Sequence, residues 1–446
     1  MDRLPDEVLE EIFSYCTFQD LVWNIPDVNS HWRLISSRSK VWKYHTYCPG
    51  RRDGGKEIIA VLKRCPKLQA VDFRKRVFGK EVFEVLANNC SDLVKLFIDY
   101  FQDISCEILS ELQRKCPRIE YLDVNEEILS HPEKLEIIGQ FMNLRTLSSK
   151  RSICNVSLKP IADGCPRLEC LETGEISVEF DDLSYFLSKK KDTLRTLVLP
   201  CSVSRGSNKC TIPLLSVCTA LESLCIHWNC ENESESLVQA LGNLKNLKSL
   251  TWQDLHFSTT DDDMRLFGNK NLAHLVRLEL CSFSSYNDAI TKIIVENCPQ
   301  LQALHLSICA EFTDKTLEMI VLLKNLRELG IYGNRNVTDN GIKHLLNIEQ
   351  LECLLLGCCD NLTAISLNLL TNFSHLQILK FRCQSLRNSP WHLFADHLKS
   401  LKHLEIYRCQ DLNVVALKAL KKKMPHVTFS VDLSQKKARY RKNQFK

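Results

Sequence analysis

Twenty-two cysteines and thirteen histidines are the side chains of this 446-residue chain best suited to metal binding or nucleophilic chemistry. Closed zinc sites and redox dithiols commonly set two cysteines in a C-x-x-C spacing. No such pair occurs in the sequence. The cysteines instead keep a fixed phase with leucines. Cys65, Cys90, Cys116, Cys165, Cys218 and Cys298 each precede a leucine or isoleucine by three residues, and Cys309, Cys359 and Cys409 each follow a leucine by eight. A small, weakly polar thiol at a recurring buried position is a packing residue, and unpaired thiols in this number suit a reducing compartment. The histidines hold no fixed phase with the cysteines. Gly-rich phosphate loops, H-E-x-x-H and G-x-S-x-G are also missing from the sequence. The expectation is a chain with no catalytic residue, no metal and no cofactor, which works by binding.

The leucines that set this phase recur every 24 to 28 residues in the pattern L-x-x-L-x-L, from Leu68 through Leu93, Ile119, Leu144 and ten further copies to Leu401. A period in the twenties with this signature marks leucine-rich repeats. The last two apolar positions of the motif alternate with polar ones, which places them on one face of a short strand. Twelve residues after the anchor comes a helix-capping residue: Ser105, Asn287, Thr313, Thr338, Thr363, Asn388 or Asn413. Asp288, Asp314 and Asp339 follow where a helix dipole favours negative charge. Pro66, Pro117, Pro166 and Pro299 then stop the helices and extend the chain into the next strand. One strand and one helix per repeat predict an α/β solenoid, a horseshoe with parallel strands on its concave face. It should comprise about fourteen repeats over residues 57–433.

Such a strand projects the residues two, four and six places after the anchor from the concave face. In the last six repeats these include Arg277, Glu279, His305, Glu328, Tyr332, Leu355, Lys380, Arg382, His403, Glu405 and Tyr407; in the first three they include Asp72, Lys95, Phe97, Asp99, Tyr121 and Asp123. Aromatic and Arg side chains on a rigid surface carry binding energy well. Tyr332, Lys380, Arg382, His403 and Tyr407 are therefore the candidate substrate-binding set. The expected ligand is an acidic or phosphorylated segment, with Arg382 as its bidentate contact.

Residues 1–46 do not follow the repeat. Leu4, Val8, Leu9, Ile12 and Phe13 share one helical face behind Pro5 and Asp6. Val28, Trp32 and Ile35 share a second, and Trp42 follows. This segment resembles an F-box, through Leu4-Pro5-Asp6-Glu7, Leu9, Ile12-Phe13-Ser14, Val28, Trp32-Arg33 and Trp42. With the repeats behind it, the chain is similar to F-box/leucine-rich-repeat proteins. The interval from Phe13 to Trp32 is one residue longer than in that family, and Pro26 stands where the family continues a helix. The resemblance implies the substrate-recognition subunit of a cullin-type ubiquitin ligase. Leu4, Pro5, Val8, Leu9, Ile12, Phe13, Leu21 and Val28 would face the Skp adaptor, and through it the cullin and RING subunits, while the repeats hold a protein substrate for ubiquitination and proteasomal degradation. Trp32 and Trp42 would hold the module together. A leucine-rich scaffold or inhibitor outside the ubiquitin system is the alternative reading, and it would not need the Leu4 to Trp42 module.

Lysine plus arginine exceeds aspartate plus glutamate by four, 58 against 54. That balance gives no bulk attraction to nucleic acid or to an anionic membrane, and neither partner is expected. No apolar run approaches a membrane span, and a cytoplasmic or nuclear location is expected. Residues 47–56 read as a linker rich in glycine, and residues 434–446 as a basic tail. Two excursions, Pro200 to Cys210 and Thr259 to Lys270, read as side loops.

Overall fold

A leucine-rich coil cannot bury its own apolar stripe, so each one stacks on the next. The computed structural model describes residues 4–50, 52–74, 77–98, 104–149, 153–154, 156–173, 176–200, 212–228, 240–254, 265–268, 272–282, 286–309, 312–382, 391–407, 409 and 412–432. The chain divides into two compact units, Met1–Cys225 and Ile226–Lys446. Asp99, Asn388, the aspartates at 261–263 and the basic tail lie outside the described residues.

The first unit begins with the helical module. Its α1 (Asp6–Ser14) starts behind Pro5, with Asp6 and Glu7 in the first turn, where the helix dipole favours them. Between Phe13 and Trp32 the chain forms a π-helical turn, Asp20–Asn24, followed by a 3-10 turn, Ile25–Asp27, that holds Pro26. Then come α2 (Ser30–Ser36), capped by the Asn29 side chain, and α3 (Ser39–Trp42). Trp32 packs edge-on against Phe13 at 5.2 Å. Trp42 meets Phe18, which stacks on Tyr47 at 5.1 Å. Arg38 clamps α1 from outside, reaching Asp6 and Glu10 at 2.6 Å each.

The sheet begins earlier than the leucine pattern. Strand β1 (Thr46–Tyr47) pairs parallel with β2 (Ala70–Asp72), so the stretch expected as a linker opens with a strand. After these come β3 (Lys95–Phe97), β4 (Tyr121–Asp123), β5 (Thr146–Ser149), β7 (Cys170–Thr173) and β9 (Thr196–Pro200), each parallel to the one before. Strands β6 (Ile153–Cys154) and β8 (Ile176–Ser177) form a separate pair beside them. The module is seated on this unit's first repeats. Ser39 donates to Asp92 at 2.7 Å, Gln69 donates to the Ser39 carbonyl at 2.7 Å, and Arg64 donates to the Val22 carbonyl at 3.1 Å.

Strand β10 (Ser223–Trp228) carries the chain into the second unit. There β11 (Ser249–Asp254), β12 (Arg277–Cys281), β13 (Ala303–Ser307), β14 (Glu328–Tyr332), β15 (Cys353–Gly357), β16 (Ile378–Arg382), β17 (His403–Tyr407) and β18 (Thr428–Asp432) pair in sequence order, all parallel. The anchor leucines are fully buried or nearly so, and each buried leucine contributes roughly 1.5–3 kcal/mol. Four successive strands end on a residue with positive φ, namely Ser282, Ile308, Gly333 and Cys358. A glycine meets this requirement without strain, whereas the β-branched Ile308 at +56° does not.

The phase-locked cysteines are buried, as their spacing predicts. Cys116 donates its thiol to the Cys90 carbonyl at 3.4 Å, and Cys165 to the Ile138 carbonyl at 3.4 Å. Cys90, Cys116, Cys165 and Cys218 thus reach carbonyls of the preceding repeat, while Cys309, Cys359 and Cys409 donate to a carbonyl two residues back in their own. Burial pushes Cys65, Cys90, Cys116, Cys165, Cys218 and Cys298 up to about 12, which suppresses the thiolate.

The caps also stand where the sequence places them. Ser105, Asn287, Thr313, Thr338, Thr363 and Asn413 each accept from a first-turn amide. The first-turn aspartates do more than answer the helix dipole. Asp288 accepts from Thr313 at 3.0 Å, Asp314 from Thr338 at 2.5 Å and Asp339 from Thr363 at 2.6 Å, so each ties its repeat to the next. Asp339 also takes the Thr363 amide at 2.9 Å and both the amide and hydroxyl of Ser366. Burial pushes the Asp339 carboxyl up, but hydrogen bonds from Ser366 and Thr363 outweigh it and hold it below the ordinary carboxylate range. A depressed carboxyl contributes stability above its unfolded pKa and loses it as pH falls through the folded one. Asp339→Ala is therefore expected to remove roughly 2 kcal/mol at neutral pH. It should also flatten the loss of stability on the acid side of about pH 4. Urea unfolding followed across that range checks both; parallel acid profiles in the two proteins would exclude the stitch.

Candidate functional site

Two surfaces answer to the residues singled out from sequence, one in each unit. On the helical module, Leu4, Pro5, Val8, Ile12 and Val28 are exposed, with Val8 at 42%, Ile12 at 39% and Val28 at 57%. Four-residue spacing sets Leu4, Val8 and Ile12 along one side of α1, and Tyr15 continues the row. Leu9, Phe13 and Leu21 point the other way. All three are buried in the module, so they form its core and supply no contact face. Sequence reasoning put them with the exposed set because both faces of α1 are apolar. Trp23 and Leu34, which it passed over, are exposed as well.

In the second unit the alternation of the strands holds. Along β12, Arg277, Glu279 and Cys281 are half-buried while Leu278 and Leu280 are fully buried. The outer residues of β13 to β17 line a groove of about 520 Å³, bounded by His305, Tyr332, Leu355, Lys380, Arg382 and Tyr407. Four of the five residues proposed from sequence therefore meet in one place. His403 does not line it; it is exposed at the start of β17.

Two glycines shape this groove. A Cβ on Gly330 would stand 2.9 Å from the His305 ring, and one on Gly357 would stand 2.3 Å from the Tyr332 ring. Each ring therefore lies flat over the next strand, where only a glycine leaves room. That gives the groove an aromatic and aliphatic floor. Such a volume with a few polar groups at its edge matches the usual dimensions of a binding cleft.

The charges are arranged differently from the basic patch expected. Lys380 pairs with Glu405 at 3.0 Å, and Tyr407 donates to the same carboxylate. Hydrogen bonding from Tyr407, aided by Lys380, holds Glu405 below the ordinary range, and the bond to Glu405 raises Lys380. Arg277 meets Glu328 at 2.9 Å, and His305 meets the same carboxylate at 2.8 Å. Burial, with Arg277 beside it, outweighs that carboxylate's pull and lowers His305. Arg382 donates to the Tyr332 hydroxyl at 2.5 Å and lies 5.6 Å from the centre of that ring. The ion pairs of the groove thus cancel, which leaves the Arg382 charge resting on an aromatic partner. The groove's chemistry suits a segment that offers an apolar side chain with hydrogen-bonding groups at its edges.

The corresponding residues of the first unit form a smaller cluster around Arg74, which stands six places after the anchor Leu68 but was not among the residues named there. Arg74 reaches Asp72 at 2.6 Å and Asp123 at 3.6 Å, and its guanidinium lies 4.5 Å from the centre of the Phe97 ring. Phe97 in turn packs on Tyr121 at 4.8 Å. Asp123, expected to project to solvent, is buried beneath this arginine. Lys95 is exposed.

If Gly357 exists to seat Tyr332, then Gly357→Ala should destabilise by roughly 1–3 kcal/mol through overpacking. The same change should be nearly silent in a Tyr332→Ala background. A double-mutant cycle by chemical unfolding measures this coupling; additive effects would show that the glycine serves something other than the ring.

Comparison with known proteins bears on both surfaces. Residues 1–47 match the F-box-like family. The chain is 28% identical over 195 residues to F-box/LRR-repeat protein 4 of Bos taurus, covering 42% of this chain and 31% of that one. It is 17% identical over 295 residues to the putative RNA-binding protein EEED8.10 of Caenorhabditis elegans, covering 66% of this chain and 40% of that one. The chain thus spans well under half the length of these two curated relatives. Among solved structures it is similar to TLR13 in its complex with ssRNA13, with 16% identity, a TM-score of 0.41, and 83% of this chain and 68% of that one covered. It is also similar to the yeast complex of Rad7 and Elc1, with 16% identity, a TM-score of 0.49, and 78% and 87% covered. Residues 1–47 belong to the F-box-like family, and with leucine-rich repeats behind them the chain has the domain order of F-box/LRR-repeat proteins.

Proposed function

We propose that this chain is the substrate-recognition subunit of a cullin-type ubiquitin ligase. The single observation that carries the reading is the F-box-like module of residues 1–47 joined directly to a leucine-rich-repeat array. An F-box docks on the Skp adaptor, and through it on the cullin and RING subunits. The repeats then hold a protein substrate for ubiquitination and proteasomal degradation. The chain's own contribution is proximity, since holding a substrate lysine near a charged conjugating enzyme raises its effective concentration without any catalytic group here. The reaction belongs in the cytoplasm or nucleus, where the other subunits act.

On this reading the adaptor meets the exposed row Leu4, Val8 and Ile12, with Pro5 and Val28 beside it. Leu9, Phe13 and Leu21 hold the shape of that row from beneath. Apolar side chains that stand out on a folded helix make an interface when a partner removes them from water. The groove of β13 to β17 takes the substrate, with Tyr332, Leu355 and Tyr407 as its apolar contacts.

Val8→Glu together with Ile12→Glu should abolish co-purification with the Skp adaptor and leave the thermal melt of the chain unchanged, because neither side chain is in the module's core. Undiminished adaptor capture by this variant would refute the docking surface. In the groove, Leu355→Arg should leave adaptor binding intact but lower the ubiquitination of bound proteins at least tenfold, the equivalent of about 1.4 kcal/mol of lost binding. Reconstituted ligase assembled with either protein, read by mass spectrometry of ubiquitin remnants, gives the comparison. Identical modified sets from the two would place the substrate elsewhere, with the Arg74, Phe97 and Tyr121 cluster next to be tested.

A further inference from the structure

In the second unit the first-turn aspartate of one helix accepts from the capping threonine of the next, as in Asp288 with Thr313 and Asp339 with Thr363. The first unit carries different chemistry at one such pair of positions. Cys106 is the first residue of its helix, directly behind the cap Ser105. His131 is the cap position of the next repeat helix, Pro132–Gly139, and its side chain makes no capping hydrogen bond. The two stand 25 residues apart, as Asp288 and Thr313 do. Glu133 follows in the first turn of the second helix.

These three side chains converge. Cys106 Sγ, a ring nitrogen of His131 and a carboxylate oxygen of Glu133 all lie within 4.8 Å of one another. Cys106 Sγ stands 3.6 Å from Glu133 Oε2. A thiolate at about 2.3 Å and a carboxylate oxygen at about 2.0 Å from a tetrahedral zinc ion lie roughly 3.5 Å apart. The pair already has that spacing, and a ring nitrogen of His131 lies within 4.8 Å of both. Sulfur, nitrogen and oxygen donors together select zinc over magnesium or calcium, which take oxygen ligands.

We propose that Cys106, His131 and Glu133 form a zinc-class divalent cation site that ties two successive repeats together, in the place where later repeats use an aspartate and a threonine. Three protein ligands leave the fourth position to water or to a donor from a bound partner. Binding forms a Zn–S bond and expels the Cys106 thiol proton to solvent.

The site differs from the phase-locked cysteines, whose thiols are buried. Cys106 is half-buried, while His131 and Glu133 are exposed, so an ion has direct access.

The test uses the full-length chain, stripped of metal with a chelator and titrated with cobalt(II), then with zinc. One equivalent of cobalt should produce a thiolate-to-metal charge-transfer band in the near ultraviolet and the strong visible absorption of a tetrahedral ion. Zinc should displace the cobalt and raise the thermal midpoint of the chain. Cys106→Ser and His131→Asn should each lose the charge-transfer band and the zinc-induced thermal shift. Melting in chelator, where both variants should match the wild type, separates loss of metal from loss of fold. A wild-type chain with no band, or a Cys106→Ser variant that keeps it through another thiol, overturns the assignment.

Discussion

A coil with one apolar stripe and no core of its own must be covered by its neighbour, and every other feature of this chain accommodates that requirement. Stacking in register forces parallel strands about 4.8 Å apart, which puts the same repeat position of each coil directly beside its counterpart. A side chain that suits one coil is then repeated in the next, because its neighbour sets the same environment. The thiols show this most simply. Cys90, Cys116 and Cys165 donate to a carbonyl at the helix end of the preceding repeat, and a serine there would demand stronger hydrogen bonding than a sulfur needs. Where the cysteine is missing before Leu194, the buried ammonium of Lys190 reaches the Cys165 carbonyl at 2.6 Å. The acceptor has been satisfied by a different donor.

Stacking also decides which polar groups are spent on the fold and which are left for partners. The aspartate and threonine stitches run along the helix starts, where each carboxylate is held by hydroxyls and amides of the following coil. On the strand face the neighbour relation works against free charge. Glu405 lies one strand from Lys380 and takes it, and Glu328 lies within reach of both Arg277 and His305. A side chain on this face is rarely alone, so charge counted along the sequence overstates the charge presented. The groove lining that remains is largely apolar: the rings of Tyr332 and Tyr407, with Leu355 between them.

The repeat, the caps and the buried thiols were all legible from spacing alone, because period and phase are properties of the chain. The first strand was not, since Thr46 and Tyr47 carry no anchor leucine and join the sheet only because Ala70 and Val71 offer an edge. Nor was the division of α1 into two faces. Leu9 and Phe13 match Val8 and Ile12 in hydropathy, and only the packing of Phe13 on Trp32 shows which row turns inward. The groove was legible in part. Tyr332, Lys380, Arg382 and Tyr407 meet as phase predicts, yet the glycines that let the rings lie down are signals of absence, and the pairing of Lys380 with Glu405 depends on side-chain reach. Cys106 and His131 escaped notice for the same reason: their separation of 25 residues is meaningless until one repeat lies on the next.

The helical module obeys a different rule and meets the repeats at one seam. A module of some forty residues has too little interior to be stable alone, and this one borrows from the first coils. Arg64, on the first repeat helix, reaches the Val22 carbonyl and the Asp27 carboxylate, and lies 4.6 Å from the centre of the Trp23 ring. Asp92 gathers Ser39, Lys67 and Arg118 around one carboxylate, which burial pushes up and those three hydrogen bonds pull down further. These contacts hold the π turn and the 3-10 turn on the repeat side of the module. They therefore leave the Leu4, Val8 and Ile12 row unengaged on α1, with Arg38 bracing it through Asp6 and Glu10. An adaptor that covers that row would meet a surface whose position is set by the first repeats.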